Sequence, residues 1–145
     1  MIRLVVDASV AVKWVLPERG EAYTDEALAL LHAVGDGLVE LVEPPHWLAE
    51  VAAVVVRLRP LAAKPAIALL DAMEIPVSAD RDTYELACNI ACELRHHLFD
   101  TLYQAVALRQ GTELVTADEA FVRKARRFGA IRRLADAGDL VTPLG

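Results

Sequence analysis

The sequence predicts an α/β fold, a three-layer α/β/α sandwich with a mostly parallel central sheet. Two short runs rich in strand-forming residues, 2–6 (Ile-Arg-Leu-Val-Val) and 113–116 (Glu-Leu-Val-Thr), each lead almost at once into a stretch of helical periodicity. Strand-like and helix-like segments alternate along the chain, the order a parallel sheet needs because every crossover must return the chain to the same end. Pro17, Gly35, Gly37, Pro60 and Gly111 stand where the segments end.

The first strand covers residues 2–6, and Asp7-Ala8-Ser9 opens a helix that runs to Leu16, where Pro17 stops it. A second helix is expected from Glu18 to Val34, with Ala27, Leu28, Leu31 and Val34 on one face and Gly35-Asp36-Gly37 ending it. Leu38 to Val42 reads as the next strand. Pro44-Pro45 then leads into a helix that lasts to Arg59 and is closed by Pro60. Trp47, Val51, Val54, Val55 and Leu58 repeat there at helical spacing, which places Glu50 on the flank of the apolar face. A short helix around Ala66–Met73, a strand at Ile75–Val77 and a longer helix from Asp80 to His96 follow. Asp100 is expected to begin a helix through Gln110, ended by Gly111; Glu113–Thr116 is a strand, and Asp118 opens the helix to Arg127. A last strand is placed near Ala130–Leu134, and the tail through Gly145 carries little periodicity.

The 145 residues hold no Ser/Gly-rich linker or repeat, so one domain over residues 1–145 is expected. A hydrophobic content of 55% and a mean hydropathy of +0.33 are high for so short a chain. Apolar surface should remain once the core is filled, and a protein partner or a homodimer is expected to cover it. The N-terminus is charged at Arg3, and no segment reaches the roughly 18 uncharged apolar residues of a membrane span. A cytoplasmic protein with no membrane partner is the expectation. Cys88 and Cys92 lie one turn apart in a helix and cannot form an ordinary disulfide there. They read as core thiols, since a zinc site shared by Cys88 and His96 would have to span roughly 12 Å along one helix.

The net charge of −6 comes from 21 acidic and 15 basic residues, and setting aside Asp7, Glu50, Asp100 and Asp118 leaves 17 against 15. Those four acids converge. In a parallel sheet the loops after the strand ends and the starts of the following helices share one rim, where ligands bind. Asp7 and Asp118 directly follow strands, and Glu50 sits in the second turn of a helix that follows one. The Asp100 helix must end beside the start of the 113–116 strand, so its beginning points back to the same rim. Asp7, Asp100 and Asp118 could each be a helix cap. Ser9, Thr101 and Thr116 stand close enough to cap without charge, however, and Glu50 is too deep in its helix to cap at all.

No Lys or Arg lies within four residues of Asp100, and the nearest to Asp7 are Arg3 and Lys13. A hard divalent cation with oxygen ligands, Mg²⁺ or Mn²⁺, is the natural complement to such a cluster. Carboxylates holding these ions suit phosphodiester hydrolysis by activated water. Ser9 lacks a glycine elbow and has no triad spacing to His46 or to the His96-His97 pair, so the histidines read as surface or packing residues.

Val5-Val6-Asp7-Ala8-Ser9, Glu50 in the helix after Pro44-Pro45, Phe99-Asp100-Thr101-Leu102-Tyr103, and Leu114-Val115-Thr116-Ala117-Asp118 together resemble the PIN domain, in particular the VapC-type toxin ribonucleases. The resemblance covers nearly the whole chain, in order. It implies a compact α/β/α domain, Mg²⁺- or Mn²⁺-dependent endoribonuclease activity, homodimers, and inhibition by a small cognate, VapB-like antitoxin. It carries over Asp7, Asp100 and Asp118 as metal-binding acids, Glu50 as the fourth catalytic acid, and Ser9 and Thr116 as groups behind them. One departure is Ala53, where many relatives carry Asn three residues beyond the helical acid.

RNA must be gripped by cations, because phosphate affinity rests on Lys and Arg. Arg123, Lys124, Arg126 and Arg127, followed by Arg132 and Arg133, form the one concentrated basic patch, and Lys13, Arg57 and Arg59 could serve nearer the site. An antitoxin groove is expected between the second helix and the Pro45–Arg59 helix, at Leu30, Val55 and Val56. A haloacid-dehalogenase pattern would want a second Asp where Ser9 stands, and a receiver domain would want an acidic pair at Asp7 and an Asp in place of Glu50. The alternative from another class is a PIN-like binding or scaffold module in which catalysis has lapsed.

Overall fold

The computed structural model describes residues 1–141. Its centre is a four-stranded sheet in the order β2-β1-β3-β4, from β1 (Ile2–Val6), β2 (Val39–Leu41), β3 (Glu113–Thr116) and β4 (Ile131–Arg133). All neighbouring strands run parallel, with Leu4 opposite Leu41, Val6 opposite Val115 and Thr116 opposite Arg133. Leu4, Val5 and Val6 are buried consecutively, without the alternation of a half-solvated strand. Both faces of β1 are therefore covered, which requires two helical layers. The helix α6 (Leu98–Gln110), backed by α5 (Arg81–Leu94), packs on β1 and β3. Another, α1 (Ala8–Val15), packs on the same two strands and carries α2 (Thr24–Gly35) and α3 (Trp47–Leu58); α4 (Ala63–Asp71) leans on α3. The C-terminal elements are α7 (Glu119–Ala125), beside β4, and α8 (Gly138–Val141), beside α2. The predicted α/β/α sandwich with a parallel sheet is the fold observed.

Several boundaries differ from the sequence expectation, each for a local reason. The second helix begins at Thr24 rather than Glu18, because Pro17–Arg19 forms a 3₁₀ turn and Gly20 and Tyr23 both adopt left-handed backbone at φ 64° and 63°. Its buried face is Ala27, Leu30 and Ala33. The expected strand at Ile75–Val77 is reduced to one parallel bridge between Glu43 and Val77. Pro76 has no N–H for a ladder, although its carbonyl accepts from the Glu43 amide at 3.0 Å. Helix α6 starts at Leu98, so Asp100 lies inside its first turn and does not open it. The tail to Gly145 extends beyond the described residues.

Two expectations about surfaces are corrected. Leu30 and Val55 are fully buried, which leaves Val56, 54% exposed, as the only accessible member of the expected groove. Cys88 and Cys92 are exposed and not core thiols. The buried stripe of α5 is Thr83, Ala87, Ile90 and Leu94, and both cysteines fall off it. Both thiols should react at once with a small disulfide reagent in the native protein; labelling that waits for denaturant would contradict this packing.

Candidate active site

Asp7 sits where β1 stops and α1 begins. Its backbone is extended and its Oδ1 accepts from the Ser9 amide at 3.1 Å, so the side chain itself caps the helix. The Ser9 hydroxyl donates to the same oxygen at 2.5 Å, and the Thr116 hydroxyl donates to Oδ2 at 2.5 Å. Both carboxylate oxygens are thereby fixed. Each hydroxyl also accepts from the backbone behind it: Ser9 Oγ from Ala117 N at 2.9 Å, and Thr116 Oγ1 from Asp118 N at 3.1 Å. Ser9 and Thr116 therefore do not cap helices, as their positions had allowed; they tie the end of β1 to the end of β3. Asp118 caps α7 by accepting from Phe121 N at 3.0 Å and is exposed.

Glu50 and Asp100 face this pair from two other helices. Glu50 projects half-buried from α3, with Tyr103 Oη donating to its Oε1 at 3.4 Å and His46 Nε2 lying 3.5 Å from its Oε2. The His46 ring packs against Phe99 and Tyr103 and donates from Nε2 to the Phe99 carbonyl at 2.9 Å, which leaves Nδ1 unprotonated, buried and without a partner. Asp100 Oδ2 meets His96 Nε2 at 2.7 Å, while Lys124 Nζ reaches His96 Nδ1 at 3.2 Å. An ammonium only donates, so Nδ1 accepts, and Nε2 carries the proton given to Asp100. The histidines, read from sequence as packing or surface residues, are hydrogen-bonded to the acids' surroundings on two sides.

One acid escaped the sequence reading. Glu43, just past β2, has no exposed surface; its Oε1 accepts from the Val6 amide at 2.8 Å and its Oε2 has no partner. It stands in for a backbone carbonyl where β2 turns away from β1 to reach Pro76. The only sequence signal was an acid flanked by Val42 and Pro44 at the end of an apolar strand.

Asp7, Glu50, Asp100 and Asp118 all line one cavity of about 490 Å³, together with Ser9, Lys13, Arg19, Glu21 and Arg57. Burial is the main reason the Asp7 carboxyl is pushed up to about 6 and that of Glu50 to about 7, with the Asp100 charge adding to both. The predicted convergence on one rim is thus realised in space.

A family model for the PIN domain matches residues 4–127. The chain belongs to the PIN domain family. The crystal structure of PAE2754 from Pyrobaculum aerophilum is similar to this PIN domain in fold, with a TM-score of 0.64 over 92% of this chain and 90% of the other at 18% identity. No curated protein matches the sequence. PIN domains are generally nucleases that use a divalent metal.

The acids of this PIN domain suit such an ion in chemistry, being hard oxygen donors, with Asp7 buried and Glu50 half-buried, mutually repelled and with no Lys or Arg in direct contact. Among the described residues no three His, Cys, Asp or Glu side chains stand close enough together to hold one ion as they lie. Each acid is engaged by partners of its own. Asp7 is turned to Ser9 and Thr116, Glu50 to Tyr103, Asp100 to His96 and Asp118 to the α7 backbone.

The expected basic patch is only partly beside the cavity. Lys13 lines it; Arg123, Lys124, Arg126 and Arg127 do not. Lys124 touches His96, Arg127 pairs with Glu93, and Arg132 and Arg133 are engaged by Glu113, Glu119 and Asp136. Arg57, on the cavity wall, has no ion pair among the described residues.

Among the described residues no helix is long and apolar enough to cross a membrane.

Proposed function

We propose that the protein is an Mg²⁺- or Mn²⁺-dependent endoribonuclease, the toxin of a VapBC-type pair. The convergence of Asp7, Glu50, Asp100 and Asp118 on one cavity, with Asp7 and Glu50 held above the ordinary carboxyl range, is the observation that carries this reading. Asp7, Asp100 and Asp118 would hold the ion, which when bound supplies Lewis-acid stabilisation of phosphate oxygens and an activated water. Ser9 and Thr116 keep Asp7 aimed into the cavity from behind. Glu50, pushed to about 7, can take or release a proton near neutral pH, and Tyr103 orients it. Exposed apolar side chains such as Val56, Leu61 and Leu69 support a protein partner, the cognate antitoxin or a second copy in a homodimer, in the cytoplasm. Arg123, Lys124, Arg126 and Arg127 would serve as outer contacts to RNA.

The test is cleavage of a mixed single-stranded and structured RNA pool by purified, partner-free protein with Mg²⁺, with Mn²⁺ and with chelator. Cleavage that requires the ion and returns when it is restored is the expected result. Folded, inhibitor-free protein that cuts nothing under any of these conditions would overturn the nuclease reading and favour the lapsed binding module.

A further inference from the structure

The cavity that gathers four acids also has a cationic wall, and that wall is already occupied by an anion. Lys13 follows Ser9 by one turn of α1 and therefore faces the same side. Its side chain is only 7% exposed, an unusual place for an ammonium unless something negative meets it. The Glu21 carboxylate does so, one oxygen to each of two cations: Oε2 to Lys13 Nζ at 2.9 Å and Oε1 to Arg19 Nε at 3.0 Å. Lys13, Arg19, Glu21 and the unpaired Arg57 all line the cavity with Asp7, Glu50, Asp100 and Asp118. Glu21 itself is carried by the short non-helical stretch between Gly20 and Tyr23, both left-handed, and its side chain is 40% exposed.

A phosphodiester presents the same recognition features as that carboxylate, two oxygens sharing one negative charge, and it fits the same two donors. We propose that Lys13 and Arg19 form a backbone-phosphate subsite of the nucleic-acid substrate, and that Glu21 holds it closed until a phosphate displaces it. The inference rests on the nuclease reading for its substrate class, yet it concerns binding and not the chemical step. Glu21 can leave by side-chain rotation into solvent, with no change in α1 or α2. Its departure removes the one negative charge that partly cancels those of Lys13, Arg19 and Arg57, and the more positive wall offsets the repulsion between an RNA backbone and the four acids.

The experiment measures anisotropy of a labelled single-stranded RNA oligonucleotide in Mg²⁺ at several salt concentrations, on an Asp7→Asn background that leaves the RNA intact. Glu21→Gln and Glu21→Ala should tighten binding about three- to tenfold and steepen the dependence of log K on log salt by about one contact. Adding Lys13→Met, which fills the same space without charge, should abolish that gain, and Arg19→Gln should remove part of it. Unchanged affinity and slope in both Glu21 variants would reduce the triad to an ordinary ion pair and overturn the proposal, as would a gain that survives Lys13→Met. The two readings fail separately. Metal-dependent cleavage by the native protein with unaltered binding in the Glu21 variants removes only the subsite, whereas tighter binding in a chain that never cleaves leaves the subsite standing in a binding module.

Discussion

Asp7→Asn is expected to lower metal-dependent RNA cleavage by about 100- to 1,000-fold, the effect of removing a few kcal/mol of transition-state stabilisation at 1.4 kcal/mol per decade. The same change should make the metal-free protein more stable at pH 8, not less. Asn caps a helix as well as Asp does, and its carbonyl can still accept from the Ser9 amide. What disappears is a carboxylate whose burial, with Asp100 nearby, opposes its charge. Residual cleavage in the purified variant equal to that of the native chain would point to a contaminant nuclease. A variant that both loses activity and melts lower would show that Asp7 is held for structure, and the division between binding an ion and stabilising the fold would fail.

The stability of the metal-free protein should fall as pH rises from about 4 to about 8, and Mg²⁺ or Mn²⁺ should restore it. Asp7 goes from 3.8 to about 6 and Glu50 from 4.5 to about 7 on folding, and burial raises Glu43 well above 4.5. A carboxyl raised on folding binds its proton more tightly in the native state. Its contribution is fully present below the unfolded value and is lost as pH climbs through the folded one. For Asp7 alone the rise from 3.8 to about 6 corresponds to about 3 kcal/mol. His46 acts in the opposite sense: burial lowers it from 6.5, so its contribution holds above that value and is lost as pH falls through its folded pKa. The three carboxyls outweigh one half-buried imidazole, and the optimum of the metal-free protein should lie on the acid side of neutrality. At pH 8 a divalent cation at 100 times its Kd would restore about 2.7 kcal/mol. Melting curves with and without chelator across this range check the result. A melting temperature that rises steadily from pH 5 to pH 8 in chelator would show that these acids are not strained by burial.

Much of this site is legible in the sequence. A strand that runs directly into a helix in a parallel sheet leaves its junction on one rim, so Asp7 and Asp118 were located by order alone, and Glu50 and Asp100 by the direction their helices had to take. Residue period served equally well for the buried face of α3. On α5 the cysteines were misassigned, although the spacing of Thr83, Ala87, Ile90 and Leu94 shows the stripe they miss. Capping was also legible in principle: Asp7 and Asp118 are caps and cavity acids at once, two roles the sequence had set against each other.

By itself the sequence determined the α/β/α order, the parallel sheet and the four acids at one end of it, because these follow from local periodicity and from the rule that parallel crossovers return to the same side. Tertiary structure alone decided which groups hold those acids. Glu43 meets the Val6 amide across 37 residues, Thr116 reaches Asp7 across 109, and Tyr103 reaches Glu50 across 53. Such contacts depend on strand register and helix packing, and residues so far apart leave no mark on each other's local pattern. The burial that raises Asp7 and Glu50 has the same origin: it is set by what the folded chain brings alongside.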